Sequence, residues 1–417
     1  MIDRFSLSVA IRHLLYYKGQ TVLTMGVVAV SVTLIIFLGA LIGGLQKRLI
    51  SSVTGAIPHV VIRQPERQPV AVWDVASVPA GQVYLGERIK LQQQKLKIED
   101  WQTWLQRLPS YSDNIRAVSP VVEGQAFLTR NEKRKAVSVV GMFPELHNGV
   151  VDIQSKLVRG RFFGLNGGEA VIGFKLADEF ALRLGDKIRV LGPEGNAATY
   201  TVAGIFDTGF NLVDSSTIYI TLRDAQSLFG VGSAVTSIGL KLRRIFEAED
   251  LAQKIAQQVP YETNSWMKDN QQLLSGLRAQ SQSSNLILVF TTIAAGFGIA
   301  SIMITSVVTR LREIGILKAI GATNRQILQI FTLEGTLLAF LGAVAGAVQG
   351  IALSLALYRI RTTVSATGRT AEVFPFDLTP ELVIRAVVIA VIVGLIASWY
   401  PAWRASRVNA IEVIRGV

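Results

Sequence analysis

Four long apolar stretches divide the chain, and the polar stretches between them are very unequal in length. Residues 21–45, 286–308, 330–357 and 382–400 are almost free of charge, and each suits a helix crossing about 30 Å of hydrocarbon. The first, Thr21–Leu45, is too long for the core of a secretory leader, and no small-residue cleavage site follows it, so it reads as a span. Before it, residues 1–20 set Arg4, Arg12 and Lys18 among Phe5, Leu7, Ile11, Leu14 and Leu15, the pattern of a short amphipathic helix at a membrane surface.

Between the first two spans lies a long polar insertion, 46–285, whose patterning changes from helix to strand and back. Gln46–Ile57 and Trp266–Ser284 are polar but helix-compatible and read as stalks. V-V-I-R at Val60–Arg63 reads as a strand, and an irregular segment rich in Pro and Gln runs from Arg63 to Lys97. Ile98–Leu108 reads as a short helix, with Trp101, Trp104 and Leu105 at helical spacing, and Ala117–Thr129 and Ala136–Gly141 alternate like paired strands. Glu169–Phe206 holds three strand-like runs, a short helix over Lys175–Leu184, and Gly-Asp and Pro-Glu-Gly turns, which predict a small barrel-like subdomain. Thr217–Thr221, a helix after Arg223, Ser237–Leu242 and a helix over Glu247–Gln258 continue an alternating β/α order. The fold class expected is an α-helical membrane protein of four transmembrane helices with a large extracytoplasmic α+β domain inserted between the first and second spans.

The loop between the second and third spans, 309–329, is short but amphipathic. Arg312–Thr323 reads R-E-I-G-I-L-K-A-I-G-A-T, with Ile314, Leu317 and Ile320 three apart, Ile316 beside them, and Arg312, Glu313 and Lys318 adding charge. A loop that only joined two spans would not need an apolar face.

Composition narrows the picture. Half of the 417 residues are hydrophobic and 17% are charged, with mean hydropathy +0.39, which fits spans plus a sizeable soluble domain. The formal net charge of +12 is concentrated where a membrane protein carries it on the cytoplasmic side. Residues 1–20 carry +2, 309–329 carry +3 and 401–417 carry +2, whereas 46–285 carry only +5, too little for a nucleic-acid binder. Both termini and the 309–329 loop are therefore expected in the cytoplasm, with 46–285 and the 358–381 loop outside. Trp399, Tyr400 and Trp403 mark an interfacial belt at the end of the fourth span.

No chemistry of its own is expected of this chain. There is no cysteine, no Gly-rich loop leading to a Lys-Ser/Thr pair, and no nucleophile–base spacing; His13, His59 and His147 are scattered, so neither catalysis nor a metal site is expected. Glu334, about one turn inside the third span, is costly there. It reads either as a coupling or dimer-contact residue close to the Arg312 helix, or as a carboxylate that snorkels to the cytoplasmic interface or bonds a neighbouring span. Gly342, Gly346 and Gly350 form a stripe along the third span, and Gly39 and Gly43 a shorter one near the outer end of the first. Such stripes let helices approach closely, within one chain or across a dimer. Four spans enclose little, which favours a dimer.

These parts together resemble the permease subunits of the MacB/LolC/FtsX class of ABC systems. Three features carry the likeness: one span, an outer domain and three more spans; the loop V-V-T-R-L-R-E-I-G-I-L-K-A-I-G-A-T-N-R-Q-I; and the tail Y-P-A-W-R-A-S-R-V-N-A-I-E-V-I-R. G-A-I-P-H-V-V-I from Gly55 and G-I-F-D-T-G-F-N-L-V-D from Gly204 are similar to the lipoprotein-releasing permeases of that class. The resemblance implies a MacB-like periplasmic core domain and a coupling helix over Arg312, Glu313, Ile314, Gly315, Ile316, Leu317, Lys318, Ala319, Ile320 and Gly321. A separate cytoplasmic ATPase dimer, binding ATP and Mg, would dock on that helix, with Ile314, Ile316, Leu317 and Ile320 as its contacts. The other partners implied are a second permease copy or paralogue, membrane lipid, and a periplasmic adaptor or lipoprotein carrier. The function implied is extraction or extrusion of a lipidated or amphiphilic substrate at the outer face of the inner membrane. Efflux with an adaptor, and signalling to a cell-wall hydrolase, are the alternatives.

Overall fold

The computed structural model describes residues 4–65, 97–130, 132–363 and 370–408. They fall into two compact units, Met1–Leu49 with Ser275–Val417, and Ile50–Leu274. Most of the irregular segment expected over 63–97 lies outside the described residues, as does the end of the tail.

The first unit is helical. α1 (Arg4–Tyr16) is followed after one residue by α2 (Lys18–Ala56), and later come α3 (Gln271–Thr309), α4 (Leu311–Ala319), α5 (Asn324–Tyr358) and α6 (Pro380–Ser406). Helices α2, α3, α5 and α6 are each long and apolar enough to cross a membrane. All four run beyond the hydrophobic stretches read from the sequence. Residues 46–56 continue α2 without a break, and the Y-P-A-W-R-A-S stretch is the last part of α6 rather than a separate tail. Helix α5 starts sharply because Thr323 caps it: its hydroxyl accepts from the Gln326 N–H while the Gln326 side chain accepts from the Thr323 N–H.

Glycines set how closely these helices pack. A Cβ on Gly346 would stand 2.4 Å from the Ala29 carbonyl oxygen, and one on Gly342 2.9 Å from that of Met25. Gly350 faces Ile36 and Thr33, so the stripe on α5 is filled by α2 of the same chain. The Thr33 hydroxyl adds a hydrogen bond to the Gly346 carbonyl at 3.0 Å. The outer stripe is placed differently from the sequence reading. Gly39 meets Leu382, but nothing lies within 4 Å of a Cβ on Gly43. It is Gly44, one residue and about 100° further round the helix, that presses on the Pro375 backbone. Nearer the start of α5, Gly335 receives Ser398, and Gly394 of α6 receives Ala339.

The second unit is built on a sheet of ten strands: β1 (Val60–Arg63), β2 (Ile115–Arg130), β3 (Lys133–Met142), β4 (Leu157–Gly160), β5 (Glu169–Gly173), β6 (Lys187–Leu191), β7 (Ala197–Phe206), β8 (Thr217–Thr221), β9 (Ser237–Leu242) and β10 (Glu262–Ser265). The far half of β2 pairs with both β3 and β6, and the series β2-β3-β8-β5-β7-β6 returns to β2, closing a six-stranded ring. The barrel expected from Glu169–Phe206 is thus real but larger, because closure needs β2, β3 and β8. The near half of β2 leaves the ring and pairs with β9, which pairs with β1, and β1 with β10. Val122, Leu128, Val139, Ile172, Val190 and Ile220 are among the residues filling the main core.

Two histidines are buried in this unit. His59 Nδ1 accepts from the Leu242 N–H at 3.1 Å, so its other nitrogen carries the proton and donates to the Thr54 carbonyl at 3.2 Å. Burial, reinforced by nearby Lys241, pushes its pKa down to about 4, and burial alone does the same for His147.

Two outcomes follow. Gly346→Ala should destabilise the span bundle by about 1–3 kcal/mol through overpacking, while Gly43→Ala should leave it unchanged or slightly firmer; unfolding in detergent separates the two. In the unfolded chain both histidines titrate near 6.5, so between pH 6.5 and 4 it binds protons that the folded unit refuses. Stability should therefore fall as pH drops through that window, by on the order of 3 kcal/mol per histidine at its lower end. Denaturant titrations at successive pH values measure this, and a flat profile contradicts it.

Candidate coupling site

The amphipathic stretch read from the sequence as a coupling helix stands where α3 ends. Arg310 is the single residue between α3 and α4, and Ile314 N–H still bonds the Arg310 carbonyl at 3.0 Å. Helix α4 stops at Ala319, and Gly321 then takes a φ of +107°, a conformation L side chains rarely adopt, which lets the chain reverse into α5.

The four apolar residues read as docking contacts, Ile314, Ile316, Leu317 and Ile320, do not share a face. Ile314 is buried in the core of the chain's own bundle and Leu317 is partly buried against it, so Ile314 cannot serve as the docking contact the sequence suggested. Its burial comes from packing in the helical bundle, which no local pattern reveals. Ile316 and Ile320 point outward, 48% and 81% exposed. With Arg312 they form a ladder of three residues spaced four apart, Arg312, Ile316 and Ile320, flanked by exposed Ala319 and Gly321. Gly315 is buried behind them. The outward face is therefore narrower than the sequence implied and lies one position away from it.

The inward side of α4 is held by polar bonds. Arg310, 2% exposed, donates from Nη1 to both oxygens of Glu334, at 2.8 and 3.1 Å. His13 Nδ1 lies 3.4 Å from Glu334 Oε2, and the guanidinium carbon sits 4.1 Å from the centre of the Tyr17 ring. The Tyr17 hydroxyl donates to Glu313 at 2.6 Å. At the other end, Lys318 Nζ donates to the carbonyls of Ser406 and Val408, both at 2.7 Å, closing the C-terminal end of α6. Glu334 is thus bonded to Arg310, at the end of the preceding span of its own chain. Arg310 and Tyr17 are not singled out by the sequence, and His13 enters there only as one of three scattered histidines. A carboxylate inside a span demands a partner, and Arg310, the basic residue at the end of the preceding span, was the available signal.

Helix α1 is part of this arrangement rather than a helix resting on the surface alone. Ser6, Ala10 and Leu14, four apart, are buried, and His13 meets the Phe331 ring of α5 at 6.2 Å. Phe5, Ile11, Leu15 and Tyr16 remain outward. Arg12, His13, Leu15, Tyr16, Tyr17 and Glu313 line an open groove of about 470 Å³ beside α4. Among the described residues, no group of His, Asp and Glu could hold a metal ion.

Similarity to known proteins agrees with this layout. Residues 21–258 match the MacB-like periplasmic core domain, and residues 285–410 match the FtsX-like permease C-terminal domain. The lipoprotein-releasing system transmembrane protein LolC of Xylella fastidiosa is 26% identical over 340 residues, 76% of this chain and 82% of that protein. The macrolide export ATP-binding/permease protein MacB of Syntrophobacter fumaroxidans is 36% identical over 129 residues, 31% of this chain and 16% of that protein. The crystal structure of the periplasmic region of MacB from Actinobacillus actinomycetemcomitans aligns with a TM-score of 0.32 at 16% identity, over 54% of this chain and 95% of that one. The chain belongs to the ABC transporter permeases of the LolC/MacB/FtsX type and is an inner-membrane protein with a periplasmic domain.

The placement of α4 separates two roles. Ile314→Ala should open a cavity and destabilise the bundle by about 2–5 kcal/mol, while Ile320→Ala should stay within about 0.5 kcal/mol. Unfolding of the detergent-solubilised chain checks both.

Proposed function

We propose that this chain is the membrane subunit of a transporter driven by a separate ATPase dimer that binds ATP and Mg and docks on Arg312, Ile316 and Ile320. Closure of the dimer pushes on α4, the spans pass the movement on, and the periplasmic domain extracts a lipidated or amphiphilic substrate from the outer face of the inner membrane. Both termini and α4 face the cytoplasm, in keeping with the basic excess in residues 1–20, 309–329 and 401–417. A second permease copy or paralogue completes the assembly.

The observation that carries this reading is the length of the LolC match, 340 residues, more than either compact unit contains. A shared membrane part alone would not give it. The shorter but closer match to MacB supports efflux with a periplasmic adaptor as the second reading. An adaptor that co-purifies with the chain would favour efflux, and a lipoprotein released from reconstituted vesicles would favour extraction.

The docking face has a direct test. Ile316→Asp and Ile320→Asp should each weaken association with the co-expressed ATPase by about tenfold or more, as for an apolar anchor in a helix-in-groove contact. Both side chains are exposed, so insertion and folding should be unchanged. Wild-type association in both variants would overturn the docking assignment.

A further inference from the structure

Helix α4 has nine residues, yet side chains tie it to three other parts of the bundle. The Arg310–Glu334 pair fixes its start to α5, the Tyr17–Glu313 bond fixes its first turn to the junction of α1 and α2, and Lys318 fixes its last turn to the end of α6. Two of these ties meet, because the Arg310 guanidinium lies against the Tyr17 ring. Glu313, Tyr17, Arg310, Glu334 and His13 therefore form one continuous series of contacts running from α4 through the α1–α2 junction to α5 and back to α1.

Stability alone does not call for such an arrangement. A buried ion pair can usually be replaced by well-packed apolar residues at little or no cost, since desolvation offsets most of its attraction. What an apolar pair lacks is direction. A guanidinium bonded through one nitrogen to both oxygens of a carboxylate, with an aromatic ring on its face, is held in orientation as well as in distance.

We propose that Tyr17 and the Arg310–Glu334 pair are positioning residues for coupling. They hold α4 at a fixed angle to α2 and α5, so that force on the outward face moves those spans instead of tilting α4. Helix α1, through Tyr17 and His13, is a working part of the transmission. This rests on the docking reading given above and adds to it the residues behind the docking face.

The test uses the full chain with its ATPase, reconstituted in lipid nanodiscs, and reads thermal unfolding, ATPase association and stimulated ATP turnover separately. Arg310→Met/Glu334→Leu replaces the pair by apolar residues of similar size. It should fold and bind the ATPase like wild type while stimulated kcat falls by about tenfold and KM for ATP holds. Tyr17→Phe keeps the ring over Arg310 and removes only the hydroxyl bonded to Glu313; stimulated kcat should fall several-fold with binding intact. If the double variant does not fold, Tyr17→Phe and Glu313→Gln carry the test. Full stimulation in the folded variants overturns the proposal and leaves the docking face standing. Loss of ATPase association in step with stimulation also overturns it, assigning these residues to docking itself. If the wild-type chain binds no ATPase, the docking reading fails and the proposal fails with it.

Discussion

A guanidinium and a carboxylate buried against each other at the end of α3 set the geometry of the membrane unit around them. Neither charge can be left alone in that position, because an unpaired buried ion costs several kcal/mol. Glu334 therefore has to lie where Arg310 can reach it, and this fixes the rotation of α5 relative to the end of α3. With that rotation set, Phe331 faces α1, Gly335 faces α6 and the Gly342–Gly350 stripe faces α2. One polar requirement thus selects the register of several apolar contacts.

Those apolar contacts need such a selection. Hydrocarbon offers no penalty for separating two leucine-covered helices, so association in lipid depends on close fit and on a few polar bonds. In this chain the fit comes from absent side chains: Gly342, Gly346 and Gly350 admit the α2 backbone, and Gly335 and Gly394 bring α5 and α6 together. The polar bonds are few and placed at the same seams, as with Thr33 and the Gly346 carbonyl. The Lys47–Asp377 ion pair and the hydrogen bond from Asp377 N–H to the Ala40 carbonyl hold the outer loop to α2 where Gly44 lets Pro375 approach.

The sequence made some of this legible and hid the rest for identifiable reasons. Long apolar runs reveal spans, and strands bounded by turn residues, such as Val60–Arg63 and Ser237–Leu242, emerge at their true limits, because both signals are local. Closure of the six-stranded ring depends on pairing between β2 and β6, some sixty residues apart, and no local period encodes that. Ile314, Ile316, Leu317 and Ile320 are equally apolar, so hydropathy could not separate the buried one from the exposed ones. Gly43 and Gly44 differ only in rotation about the helix axis. The partnership of Arg310 and Glu334 was within reach, since each makes the other affordable in an apolar setting, but it required reading across the loop that joins their helices.

The order β10-β1-β9 has a consequence for how the periplasmic domain relates to its chain. Strand β1 is the first strand after α2 and β10 the last before α3, and they pair residue for residue from Val60 with Ser265 to Arg63 with Glu262. The path into the domain and the path out of it are thus neighbouring strands, about 5 Å apart. A fold whose two ends sit side by side can be exchanged as a cassette, since a replacement needs only two adjacent attachment points. The sheet unit can then change between those two points without altering the helical segments that precede and follow it in the chain.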